Sequence, residues 1–111
     1  MMREKRRYLQ FQLISQKRLS EEDAKHLVYE AVFQLVGEQG ASEAALQLKA
    51  FDGGKQLLLL KCASKAHQKV IAALALKTIF RGGKVALRLQ RIYGTLMKAK
   101  AIFPALGQSK V

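Results

Sequence analysis

Four consecutive leucines, Leu57-Leu58-Leu59-Leu60, restrict the possible folds of this chain more than any other feature. Side chains of a strand alternate between faces, so the run is apolar on both sides of any sheet it joins. Such a strand belongs at a central position. Its limits are clear. Asp52-Gly53-Gly54-Lys55 before it tolerates positive φ, as a tight hairpin requires, and Ser64 after it caps a helix. Gln56 to Ala63 is therefore read as a strand with neighbours on both sides.

The remaining elements follow from hydrophobic periodicity. Leu9, Phe11 and Leu13 alternate with Tyr8, Gln10 and Gln12, which predicts a first strand over 8–15. Ser20 opens a helix, with Asp23 three residues on and Glu21 and Glu22 at the positive end of the dipole. Ala24, Leu27, Val28, Ala31, Val32 and Leu35 form its apolar stripe, and Gly37 or Gly40 is expected to end it. Between Ala45 and Phe51, Leu46, Leu48 and Ala50 alternate with Gln47 and Lys49, the pattern of a second strand.

A second helix is expected from Ser64 to about Phe80, with Val70, Ile71, Leu74, Ala75 and Ile79 inward, broken by Arg81-Gly82-Gly83. Lys84 to Ile92 reads as the fourth strand. Val85, Leu87 and Leu89 face one way, and Lys84, Arg88 and Gln90 the other. Gly94-Thr95 opens a short last helix carrying Leu96, Ala99 and Phe103, stopped by Pro104. The order β-α-β-β-α-β predicts an α+β, ferredoxin-like sandwich: a four-stranded antiparallel sheet, two helices on one face and a short C-terminal helix. Residues 1–103 form the single expected domain, and 104–111 a loose tail.

With both long helices on one face, the other is expected to be bare. It would show Tyr8, Gln10, Gln12, Lys49, Leu57, Leu59, Lys61, Arg88 and Gln90. Leu57 and Leu59, with Tyr8 beside them, are too apolar to leave in water. Either the C-terminal helix folds across them or a protein partner does. RNA recognition motifs use this face, stacking bases on aromatic side chains of the first and third strands. Gln56-Leu57-Leu58-Leu59-Leu60-Lys61 has no aromatic, so the platform is missing. Backbone or shape contact by Lys and Arg is favoured.

Charge points the same way. The first 52 residues hold eight Lys/Arg and eight Asp/Glu, whereas residues 53–111 hold twelve Lys/Arg and no acid, so the formal net charge of +12 lies on that half. Unrelieved like charge destabilises a compact state, but it suits a polyanion whose counterions are released on binding. A solubilising surface is the simpler alternative. In the second helix Lys65 and Lys69 stand where the dipole favours anions, an arrangement that a bound phosphate would reward. Arg91 and Lys98 flank the helix start at Gly94-Thr95 in the same way.

Catalytic constellations are scarce. Glu21-Glu22-Asp23 is explained by helix capping, and Cys62, His67 and His26 do not reach a zinc ligand set of known spacing. Gly53-Gly54 and Gly82-Gly83 are turn pairs. Small phosphatases of the acylphosphatase type share the fold but rely on an asparagine, and this chain contains none. One cysteine excludes an internal disulfide and fits a reducing cytoplasm. No apolar run approaches the ~20 residues that span a bilayer. The basic start (Arg3, Lys5, Arg6, Arg7) leads into a short, polar-interrupted segment unlike a secretory signal. A soluble, cytoplasmic binding module is expected, with no membrane association.

Three segments resemble one known family. Arg3-Glu4-Lys5-Arg6-Arg7-Tyr8-Leu9-Gln10-Phe11 is similar to the opening of the archaeal ribonuclease P protein component 2 family. Gly37 to Asp52 resembles its helix end and second strand, and Lys84-Val85 through Tyr93-Gly94-Thr95-Leu96-Met97-Lys98-Ala99-Lys100 resembles its last strand and the segment after it. The likeness covers about residues 3–103. Tyr93 stands where the family commonly has serine, and strand two reads Ala-Leu-Gln-Leu in place of an aromatic-bearing stretch.

The resemblance implies a protein subunit of ribonuclease P, which trims the 5′ leader from precursor tRNA. It implies a catalytic RNA subunit that holds the magnesium ions, so this chain is expected to bind no cofactor and no metal. It also implies a TIM-barrel protein partner and self-association within the complex. Lys5, Arg6, Arg7, Lys65, Lys69, Lys84, Arg88, Arg91, Lys98 and Lys100 are the expected phosphate contacts. Leu57, Leu59 and Tyr8 are the expected protein contacts. Two other readings stay open: a general structured-RNA binder, such as a ribosome-associated protein, and an acidic-protein-binding module or small enzyme.

Overall fold

Ser20 is extended, and its hydroxyl accepts a hydrogen bond from the Asp23 N–H at 3.2 Å. That cap starts the first helix, α1 (Glu21–Ala44), with three acids in its first turn. Ala24, Leu27, Val28, Ala31 and Val32 are buried along its stripe. The expected stop at Gly37 or Gly40 is instead an internal break. Gly37 adopts φ 76° and ψ −176°, a region essentially closed to side chains, and the helix resumes beyond it. The extra turns return Ala44 to the core, with Ala41 against it. Leu35, expected inward, is exposed, while Val36 packs on the core.

The computed structural model, described here over residues 5–94, forms an α+β fold with two helices and one five-stranded antiparallel sheet. The strands are β1 (Arg6–Ser15), β2 (Gln47–Asp52), β3 (Leu57–Ala63), β4 (Ile79–Phe80) and β5 (Gly83–Tyr93), in the order β2-β3-β1-β5-β4. The leucine run occupies β3 between β2 and β1, and all four leucines are buried. No helix among the described residues is long and apolar enough to cross a membrane.

The fifth strand corrects the four-stranded expectation. A 3-10 turn (Ser64–Ala66) precedes the second helix, α2 (His67–Leu76), which stops well before Phe80. Lys77 turns extended because β-branched Ile79 and aromatic Phe80 pair back as a strand, with the Thr78 carbonyl accepting from the Val85 N–H. Arg81 (φ 51°) and Gly82 (φ 79°) form the two-residue turn, placing Ile79 opposite Lys84 and Phe80 opposite Gly83. Two successive positive φ values make a type I′ hairpin, which matches the strand twist. Phe80 is therefore buried, while Ile79 and Ala75, both expected inward, are exposed. Ser64 gives α2 no side-chain cap, and its carbonyl instead lies 2.6 Å from His67 Nδ1.

The β2–β3 hairpin also departs in detail. Asp52 Oδ1 accepts from the N–H groups of Gly54 and Lys55, at 3.0 and 3.1 Å. The positive φ falls on Gln56 (56°) and on neither glycine of the turn. Gln56 is held there by its own amide: Nε2 donates to the carbonyls of Leu19 and Gly53, and Oε1 accepts from the Leu19 N–H.

Two bulges then decide which residues share a face. Register shifts between Leu48 and Ala50 in β2, so Leu48 lies opposite Leu60 but Ala50 opposite Leu59. The expected common face of Leu46, Leu48 and Ala50 is split. A second shift, where Gln10 pairs with Arg91 and Phe11 with Leu89, leaves Gln90 as the extra residue of β5. One face carries the main core, including Leu9, Phe11, Leu13, Leu58, Leu60 and Leu87 with the buried stripes of both helices.

Candidate nucleic-acid interface

The register maps the second face row by row. Tyr8 lies between Lys61 and Tyr93, Gln10 between Leu59 and Arg91, and Gln12 between Leu57 and Arg88. Tyr8, Leu57, Leu59 and Tyr93 form a small core of their own, only 8, 8, 0 and 5% exposed, with Ala50 against it. Leu57 and Leu59, which sequence reading expected to need a cover, are therefore not left in water. Tyr8, the third expected protein contact, is buried with them. Tyr93 joins them because the Gln90 bulge shifts the alternation by one residue. Sequence reading missed it, since a bulge leaves no local signature there.

A polar ladder borders the cluster. The Tyr93 hydroxyl donates to Gln10 Oε1 at 2.8 Å, and Gln10 Nε2 donates to Gln90 Oε1 at 2.8 Å. Gln12 Nε2 donates to the Lys55 carbonyl at 2.8 Å. Beside this ladder β5 presents Lys84, Arg88 and Arg91, all exposed. Four residues of strand separate Lys84 from Arg88, a span of about 13 Å. None of the three has an ion-pair partner among the described residues.

The other expected contacts gather at the opposite end of β5, where β1 begins and β3 ends. Arg6 pairs with Ala63 and Arg7 with Cys62, and the Lys5 carbonyl accepts from the Ser64 N–H at 2.8 Å. That bond brings the start of β1 beside Lys65. Lys65 and Lys69, both exposed, line a groove of about 750 Å³ between the end of α1 and the start of α2, together with Gln39 and Glu43. Lys98, Lys100, the helix expected from Gly94-Thr95 and the tail from 104 lie outside the described residues.

Two other cations of the acid-free half are spoken for by α1. The buried Lys77 ammonium contacts Glu30 Oε2 and Gln34 Oε1. Arg81 Nη1 donates to Asp23 Oδ1 at 2.7 Å, Nη2 lies 3.0 Å from His26 Nδ1, and the guanidinium stands 4.8 Å over the Phe80 ring. Cys62 is fully buried, and desolvation pushes its thiol up to about 11, against a smaller opposing pull from Arg6 and Arg7. A buried thiol raised in this way stays protonated at neutral pH and is a poor nucleophile. Among the described residues no group of three His, Cys, Asp or Glu side chains converges on a metal-sized site. Among the described residues, what this arrangement presents is a set of exposed cations, a surface chemically suited to anions.

A family model, described as the Rpp14/Pop5 family, matches residues 7–103. The chain belongs to the Rpp14/Pop5 family. Ribonuclease P protein component 2 of Pyrococcus furiosus is 28% identical over 102 residues, covering 92% of this chain and 85% of that protein. The Archaeoglobus fulgidus protein of the same name is 31% identical over 99 residues, covering 89% and 88%. A chain of the solved structure titled "Cryo-EM structure of yeast Ribonuclease MRP" aligns with a TM-score of 0.67, covering 86% of this chain and 79% of that one. At 7% identity, that is a likeness of fold alone. In this Rpp14/Pop5 chain Tyr93 places a hydroxyl at the position where the resemblance expects serine, and that hydroxyl is engaged by Gln10.

Proposed function

We propose that this chain is a protein subunit of ribonuclease P, which binds the enzyme's RNA and supports endonucleolytic removal of 5′ leaders from precursor tRNA. The observation that carries this is a family match over residues 7–103, joined by archaeal component 2 relatives that align over most of both chains. The physical picture agrees. Exposed Lys84, Arg88 and Arg91 lie in a row on β5 with no carboxylate among the described residues to neutralise them, and each phosphate they meet releases condensed counterions. Contact of this kind reads backbone and shape, consistent with a sheet face whose centre is packed shut.

The chain is not the catalyst in this reading. The RNA holds the magnesium ions, and this subunit screens phosphate repulsion so that the RNA keeps its active fold. A TIM-barrel protein subunit is the proposed protein partner, self-association within the complex is part of the same proposal, and the setting is cytoplasmic. The β2-β3-β1-β5 order, with both helices against one face, supports a ferredoxin-like description in which β4 is an appended edge.

The test is precursor-tRNA cleavage by a cognate ribonuclease P RNA at limiting magnesium, with the TIM-barrel partner present and this chain present or omitted. The expected result is faster 5′-leader removal when the chain is added. Binding of cognate and unrelated structured RNAs with equal affinity, without any gain in cleavage, would reduce it to a general RNA binder.

A further inference from the structure

We propose that the cleft between the β1–α1 loop and the β4–β5 turn is a phosphate-binding site for RNA. The proposal deepens the RNA-binding reading above and rests on it. The cleft has a volume of about 340 Å³, and its lining includes Lys17, Arg18, Arg81 and Lys84, with Asp23 as the one acid. Lys17, Arg18 and Arg81 were not singled out by sequence, because the cleft joins two segments, 15–19 and 80–85, that lie more than 60 positions apart in the chain.

Charge carries the argument. Asp23 is taken by Arg81 at 2.7 Å, which leaves Lys17, Arg18 and Lys84 along the same cleft without an ion-pair partner among the described residues. Bringing like charges together from separate segments opposes folding, and an anion in the cleft reverses the sign of that interaction. Two of the four groups are also held in place. Arg18 Nη1 and Nη2 donate to the carbonyls of Gly53 and Gly54 at 3.0 and 2.9 Å. A guanidinium has five N–H groups, so most of its donors remain for a ligand. Arg81 is fixed between Asp23, His26 and the Phe80 ring. Fixed guanidinium forks suit phosphate oxygens because little freedom is lost on binding.

Turn chemistry does not explain Arg81. It occupies the first central position of a type I′ turn at φ 51°, where asparagine, aspartate or glycine is favoured and an ordinary side chain is strained. Strain at such a position is a reason to look for function. Lys84 both lines the cleft and starts the β5 row, so the backbone of one RNA strand could pass from the cleft onto Arg88 and Arg91.

The experiment measures binding of the full chain to a cognate ribonuclease P RNA transcript across a salt series. Lys17→Glu is the main variant, since the Lys17 side chain is exposed. Lys17→Ala guards against an effect of the introduced acid, and thermal unfolding checks that each variant folds. Lys25→Glu makes the same charge change on the exposed side of α1, away from the cleft. Lys17→Ala should flatten the slope of log K against log salt by about one and weaken binding several-fold, with a larger loss for Lys17→Glu. Lys25→Glu should stay within about threefold and keep the slope. Equal effects of Lys17→Glu and Lys25→Glu would overturn the site. The same series on an unrelated structured RNA separates the two claims: loss of preference for cognate RNA in the wild-type chain counts against the ribonuclease P reading, whereas the Lys17 effect concerns the cleft alone. Inorganic phosphate, followed through the amide signals of residues 81–84, is the final arm. Saturation by phosphate with no Lys17 effect on RNA would overturn the RNA assignment in favour of a free anion.

Discussion

Replacing Leu59 by alanine tests whether the second sheet face is a core in the isolated chain. Leu59 is fully buried, enclosed by Tyr8, Leu57 and Tyr93 with Ala50 alongside. Truncation removes three carbons from a packed site. Leu→Ala changes of this kind cost about 3 kcal/mol, from lost transfer free energy plus the cavity left behind. A chain of 111 residues has an unfolding entropy of about 0.23 kcal/mol/K, so the midpoint should fall by about 13 °C. Leu58→Ala, on the helix-covered face, should cost a similar amount and serves as the reference. The assay is thermal and urea unfolding, each followed by far-UV and tyrosine near-UV circular dichroism. The chain has no tryptophan, and two of its three tyrosines belong to this cluster. A Leu59→Ala loss below about 0.5 kcal/mol, beside a full loss for Leu58→Ala, would refute the packed second face, because that is the range of surface substitutions.

Other substitutions probe single links in the argument. Gly37→Ala should destabilise the chain by at least about 1 kcal/mol, since φ 76° with ψ −176° strains any side chain; a stabilising effect in denaturant melts would mean that the α1 break is absent. Gln56→Ala keeps the positive φ but removes the amide bonds to Leu19 and Gly53, for an expected loss of about 1–3 kcal/mol in the same melts. Arg81→Asn suits the type I′ turn, so unfolding should move little while RNA binding weakens several-fold; unchanged binding would argue against a ligand at that turn. Cys62 should resist thiol reagents at pH 8 until the chain unfolds. Its thiol is raised from 9.0 to about 11, so the unfolded chain loses that proton first and stability falls as pH climbs through this window. The loss approaches about 1.4 kcal/mol per pH unit between the two values, fades out as pH drops below 9, and should largely vanish in Cys62→Ala. The raised Tyr29 hydroxyl adds a fall in the same direction at higher pH.

Much of the fold was legible because its signals are local. Ser20 caps α1 as its hydroxyl and the acids after it require. The alternation of Leu9, Phe11 and Leu13 fixes the face of β1, and the leucine run lies between two strands as a doubly apolar segment must. The errors share a different origin. The end of α2 was set too late because Val70 to Ile79 is apolar at helical spacing, while the pairing of Ile79 and Phe80 with Lys84 and Gly83 depends on a turn formed by Arg81 and Gly82. Gly37 looked like a stop, yet Ala44 gains a core contact beyond it.

Sequence alone determined the β-α-β-β-α-β frame without its short edge strand, the central place of Leu57–Leu60 and the exclusion of acids from residues 53–111, since each depends on residue type and short spacing. Tertiary structure decided which side chains meet. The bulges at Lys49 and Gln90 moved Ala50 and Tyr93 onto the second face, because one extra residue reverses a strand's alternation. Lys17 and Arg18 reached Arg81 and Lys84 only when the β1–α1 loop closed against the β4–β5 turn. Charge can be counted along a chain, but the field it makes depends on distances that exist only after folding.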